Sequence, residues 1–338
     1  MKPTLKFTAF AISSALLAAS FSLPVVAADA PAAAARVTFD GNIKNNSLAL
    51  SPDESTAVVS YSERPDVVVY DLKKGRVRGV LHSYVTPRNI VFAPDGKSFY
   101  VSDSSLGEVV KVDTARLKPL AHLSAGPGAF GTALNKDGGT LYVNNQAAST
   151  VTRFDTRTDQ ARAVITGFAQ PRQGVRLSPD GSKLYVTNFL GDKVTIVDTQ
   201  TDKVEGEITG FSKIRAISVT ADGKTMFAAN SGTNNIAVVD IAKREILSTV
   251  PVGKDPYGAA LTPDGRFVYS GNLADNSVSV IEVDTFKVVA TITGFKQPRQ
   301  AIVFTRDGKL AYVLNEDLSV SKVDRASQHI VSTLAAPK

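Results

Sequence analysis

The chain has no cysteine and no tryptophan, and only three histidines and two methionines among its 338 residues. Without thiols there can be no disulfide, no thiolate metal site, no covalently attached c-type haem and no lipid-modified N-terminal cysteine. The histidines, His82, His122 and His329, show no metal-ligand spacing, so sites for haem, copper or quinone that need His or Cys clusters are not supported. No cofactor and no metal is therefore expected. A Gly-x-Ser-x-Gly nucleophile elbow and a phosphate-cradling glycine loop are also missing. There is no block of like charge, and the formal charge of +6 is mild, permitting an anionic partner without demanding one.

Beyond the N-terminus no apolar run approaches the length needed to span a bilayer. At the N-terminus, Lys2 and Lys6 precede an uncharged stretch from Phe7 to Ala28 that ends in small residues. That is the pattern of a secretory signal peptide at 1–28, with cleavage expected after Ala28 and with Val26 and Ala28 at the two positions that must be small. The apolar part is interrupted by Thr8, Ser13, Ser14, Ser20 and Ser22, which makes it a poor anchor. The expectation is a periplasmic or secreted protein whose mature chain does not insert into a membrane. Loss of Lys2 and Lys6 leaves 36 basic residues against 32 acidic ones, a charge of +4. Residues 29–35 are an Ala/Pro-rich lead-in, and 36–338 form one domain, large enough to fold without disulfides.

What the sequence does contain is repetition. A short turn phrase recurs at Asp53, Asp95, Asp137, Asp180, Asp222, Asp264 and Asp307, in steps of 42, 42, 43, 42, 42 and 43 residues. In the fourth copy, 174–178, 183–187, 193–197 and 203–208 read as four short strands joined by turns rich in Gly, Asp and Asn. A single such sheet cannot bury both faces, whereas seven stacked around an axis bury Val, Ile and Leu from both sides. The fold expected is all-β: a seven-bladed β-propeller with four antiparallel strands per blade. Its termini should meet in the seventh blade, and two segments compete for the closing strand, Gln328 to Leu334 and Arg36 to Phe39. A monomer is expected.

The string Tyr185-Val186-Thr187-Asn188, with variants at 142–145 and 312–315, resembles the YVTN β-propeller repeat family. So does the wider phrase around it, Ser-Pro-Asp-Gly before and Val-Thr-Ile-Val-Asp-Thr after. The resemblance covers essentially the whole mature chain. It implies an exported bacterial seven-bladed propeller and carries no single activity.

In a meander the strand 1–2 and 3–4 turns lie on one face, and the repeated aspartates there are turn residues that bond their own backbone. On the other face, Arg88, Arg172, Arg215 and Arg299 recur where each inner strand begins, with Asn46, Phe130 and Tyr257 at the same place in the remaining blades. Arginines with aromatics between them suit an anionic or planar ligand. Arg88, Arg172, Arg215, Arg299, Phe130 and Tyr257 are thus the candidate ligand site, for a polyanion such as single-stranded nucleic acid. The bland alternative pairs each arginine with Glu63, Asp66, Asp103, Glu108 or Asp192 and merely ties blades together. Phe168, Phe211 and Phe295 are expected to pack between blades. Asp103, Asn145, Asn188, Asn230, Asn272 and Asn315, at the ends of second strands, are expected to be turn caps rather than a Ca²⁺ ring, which needs more carboxylates. A non-catalytic binding or scaffold module is the leading reading; a lactone or ester hydrolase in the same funnel and a protein-docking blade edge are the rivals. No paired acid and base for hydrolysis is visible.

Overall fold

A computed structural model describes residues 44–337. The expected signal peptide at 1–28, the lead-in at 29–35 and the candidate closing segment Arg36 to Phe39 lie outside them. The described residues form seven four-stranded antiparallel sheets, each built from four consecutive strands. The blades span 46–81, 87–124, 129–165, 171–208, 214–251, 260–293 and 302–334.

The anchor aspartates do what their turns require. In every blade the carboxylate accepts the backbone N–H two residues on, from Ser55 at Asp53 to Lys309 at Asp307. The residue between takes a left-handed backbone, which is why six of the seven are glycine; Glu54 adopts it at φ 58°.

The core lies between blades. One cluster joins Tyr185, Val194 and Ile196 of blade 4 to Ile217, Met226 and Val239 of blade 5. Phe168, Phe211 and Phe295 each belong to such an inter-blade cluster, as expected. At the outer edge every blade carries a bulge at the same place: the strand 3–4 register skips Arg78, Leu120, Arg162, Glu205, Leu247, Val289 and Val331 in turn. A bulge twists an exposed edge away from straight pairing with another chain.

Blade 7 is completed by His329–Leu334, the C-terminal candidate for the closing strand. The circle closes side to side: Leu48, Val59 and Val68 of blade 1 share a cluster with Tyr312, Leu314 and Val320 of blade 7. The buried Tyr70 hydroxyl donates to the Leu318 carbonyl at 2.7 Å, with the Ala335 carbonyl 3.1 Å away. Gln300 Nε2 donates to the Asn46 carbonyl at 2.8 Å.

Candidate functional site

Each of the four arginines is placed by an acceptor at the end of its blade's second strand. Asp103 Oδ2 accepts the Val85 N–H at 2.7 Å, Asn188 Oδ1 that of Ala169 at 2.8 Å, Asn230 Oδ1 that of Ser212 at 3.3 Å and Asn315 Oδ1 that of Lys296 at 2.9 Å. In all four the bonded N–H lies three residues before the arginine. The opposite end of the amide ties strand 2 to strand 3: Asn188 Nδ2 donates to Thr195 Oγ1, and Asn315 Nδ2 to Ser319 and Ser321 Oγ. The amide ring is structural, as its turn chemistry suggests, and its structure is what aims the arginines.

Blades 3 and 6 lack this brace. Gly126 and Gly253 run against Asn145 and Asn272, where a Cβ would approach the amides to 3.2 and 2.6 Å. The Oδ1 atoms of both asparagines are buried without a hydrogen-bond partner among the described residues. Four residues after each glycine comes an aromatic, Phe130 and Tyr257. The two longer steps in the period also resolve here. The extra residue falls in the inner strands of blades 4 and 7, where Arg172 and Arg299 stand eight residues before the anchor; Arg88 and Arg215 stand seven before theirs.

The six predicted site residues do come together, and they use one another. The Arg88 guanidinium lies over the Phe130 ring at 4.5 Å, donates through Nε to Ser104 Oγ at 2.8 Å and through an Nη to Asn45 Oδ1 at 2.7 Å. Arg215 repeats the serine contact with Ser231 Oγ at 2.9 Å. Arg215 and Arg299 both lie on Tyr257, at 4.5 and 4.8 Å from its ring centre. Arg299 also donates to the Lys44 carbonyl at 3.2 Å. Arg172 stacks on Phe189 at 3.7 Å. Asn45, Lys44 and Phe189 are therefore members of this cluster that the repeat alignment did not single out.

Burial separates the members. Arg88, Arg172 and Arg299 are 2%, 4% and 3% exposed, Phe130 is 2% exposed, and only Arg215 and Tyr257 are half-buried. The cavity bordered by Arg172, Arg215, Phe130 and Tyr257, with Lys44 and Asn45, is about 30 Å³, room for a few waters at most. The carboxylates named above as possible partners have contacts of their own. Asp66 pairs with His82, Glu108 with His122 and Glu63 with Lys44. Asp103 accepts four backbone N–H groups, and Asp192 accepts that of Ile214. Among the described residues neither Arg215 nor Arg299 has a carboxylate within ion-pair distance, and no group of three His, Cys, Asp or Glu is placed to hold a metal ion.

Seven radial sheets around a channel capped by an arginine–aromatic mouth define a seven-bladed propeller with a cationic opening. The sequence matches the family Lactonase, 7-bladed beta-propeller, over residues 44–211 and 197–301, and the chain belongs to that family. No curated protein matches it. Among solved structures it is similar to Kuenenia stuttgartiensis Hydrazine Synthase, with a TM-score of 0.77 and 22% identity, covering 82% of this chain and 95% of that one. At that identity the likeness speaks for the fold alone.

Proposed function

We propose that this protein is an exported, non-catalytic binding propeller whose arginine mouth takes an extended anionic ligand, single-stranded nucleic acid being the chemistry that fits best. One observation carries the reading: Arg215 and Arg299 both lie on Tyr257 and, among the described residues, have no carboxylate to neutralise them, so this part of the rim holds positive charge beside an aromatic ring. With room for only a few waters in the mouth, the ligand lies across the rim. Arg215, Tyr257 and Lys44 touch it, and the buried Arg299 adds field in a region poor in water. Export rests on the leader at 1–28.

Binding of oligothymidylate tests this. With two to four phosphates neutralised, log affinity should fall against log salt with a slope of about −1.4 to −2.8. Arg215→Ala, at a half-exposed position, should flatten that slope by about 0.7 while leaving the melting temperature nearly unchanged. A salt-independent affinity, or an unaltered slope in the variant, refutes the site.

Membership of the lactonase family favours a second reading, hydrolysis of a lactone at the same face. Against it, the mouth offers, among the described residues that line its cavity, no carboxylate or imidazole to take a proton from water. A panel of lactones assayed with and without chelator separates the two: turnover that survives Arg215→Ala and is abolished by chelation belongs to an enzyme.

A further inference from the structure

The channel has a second opening, on the face that carries the strand 1–2 turns. There a cavity of about 930 Å³ is bordered by the turns at Asn135 to Asp137 and Ser178 to Gly181 and runs inward between the inner strands. The residues four before the anchors form a ring at one level of its wall. Five of those lining it are Val91, Ala133, Ser218, Ala260 and Val303, all small or apolar; the sixth is Arg176. One blade places a guanidinium where its neighbours place a methyl or a hydroxymethyl group.

Arg176 is exposed, and the surface it exposes lines the channel cavity. The only hydrogen bond of its side chain among the described residues is to the carbonyl of Val175, at 2.8 Å, and no carboxylate among them lies within ion-pair distance. The two aspartates at the opening are occupied: Asp137 by the Gly139 N–H, Asp180 by Ser178 and Ser182. In the next blade at the same level, Ser218 is nine-tenths buried and its hydroxyl has no hydrogen-bond partner.

We infer that this cavity is a binding site for a small carboxylate bearing an apolar body, with Arg176 holding the carboxylate and the apolar channel wall holding the rest. The chemistry follows from the ratio of groups. A single guanidinium takes one carboxylate two-pronged, the Val, Ala, Leu and Ile side chains around it reward hydrocarbon, the other charged groups of the lining, Lys136, Asp137 and Asp180, belong to the turns at the opening, and the volume lies within the range of ordinary ligand sites. Ser218 Oγ gains the acceptor it lacks once a carboxylate is present and its side chain turns toward it. This site is independent of the arginine mouth at the opposite opening.

The test is calorimetric titration of the protein with octanoate, octanamide and inorganic phosphate. Octanoate should bind roughly ten- to hundredfold more tightly than octanamide, the range expected for a charge-assisted hydrogen-bonded pair, and phosphate more weakly than octanoate. Arg176→Met should remove that preference and leave octanamide binding unchanged, while Arg176→Lys should retain part of it. A thermal melt of each variant establishes that it is folded, and retained octanamide binding establishes that the cavity is intact. Octanoate bound equally by Arg176→Met, no octanoate binding by the unmodified protein, or loss of octanoate binding on Arg215→Ala would each overturn the assignment.

Discussion

Tyr257 is the residue through which two like charges share one place. Its ring lies between the Arg215 and Arg299 guanidiniums, and each cation–π contact in a partly desolvated site contributes up to about 2 kcal/mol. The backbone around it is held separately, its N–H donating to the Gly271 carbonyl at 2.9 Å, so a side-chain change reads the ring alone. Tyr257→Phe should leave stability nearly unchanged, whereas Tyr257→Leu should cost roughly 1–2 kcal/mol, seen as a lower urea midpoint at constant slope. Equal losses in both variants would mean that the hydroxyl, not the ring face, matters. The arginines were legible because they recur at one place in the repeat. Two of their aromatic partners, Phe130 and Tyr257, were legible for the same reason, standing at that place in other blades; Phe189 was not, because it reaches Arg172 from a strand 2–3 loop, outside the aligned position. Arg176 was legible in principle, as the residue out of pattern four before Asp180, but an arginine on an inner strand gives no local sign that it faces a channel.

At the scale of strands and connections, the amide ring explains why the arginines are aligned at all. Asn188 accepts from the Ala169 N–H and donates across to Thr195, so its removal strands several buried groups at once. Asn188→Ala should cost about 1–3 kcal/mol and weaken oligothymidylate binding, because Arg172 then loses its brace. Asn145→Ala, in a blade whose amide oxygen bonds nothing, should cost less and leave that binding intact. Chemical unfolding paired with binding titrations checks both; equal effects on binding would separate the amides from the arginines. Strand positions followed the repeat closely except at the inner strands. In blade 4 the alternating pattern begins at Gly174, yet pairing begins at Pro171 opposite Asn188, with a bulge before Val175 opposite Val186. The bulge breaks the two-residue alternation by which a strand is recognised, so the residues it contains, Arg172 among them, read as loop. In blade 6 the same region shrinks to Ala260–Leu261 and one bridge between Pro256 and Asn272.

For the whole molecule, the period declared the circle, and the circle multiplies every local device. The turn aspartates are the clearest case. Asp53 and Asp180 are held down to about 2, first by hydroxyl donors Ser51 and Ser178 and then by Ser55 and Ser182. Asp155, at the end of a third strand, is likewise held to about 2, by Arg157 first. Asp222, Asp240, Asp307 and Asp324 are shifted the same way by hydrogen bonds from nearby Thr, Ser or backbone donors. A carboxylate whose folded pKa is depressed contributes stability that is fully present above its unfolded value near 3.8 and is lost as pH falls through its folded value. The window is therefore pH 4 to 2, and the sign is loss on acidification. Because the groups are spread around the ring and protonate together, the loss should be steep, and rising positive charge adds to it. The thermal midpoint should stay flat from pH 7 to about 4 and then fall sharply. Asp180→Asn, which keeps an acceptor but cannot titrate, should lower the midpoint at pH 7 and shallow the acid slope. Most donors at the turns are hydroxyls and backbone N–H groups, so added salt should relieve only the part of the loss that comes from rising positive charge and leave the rest. A midpoint that already falls between pH 7 and 5, or an acid slope that Asp180→Asn leaves untouched, would mean that the turns do not carry the acid sensitivity of the ring.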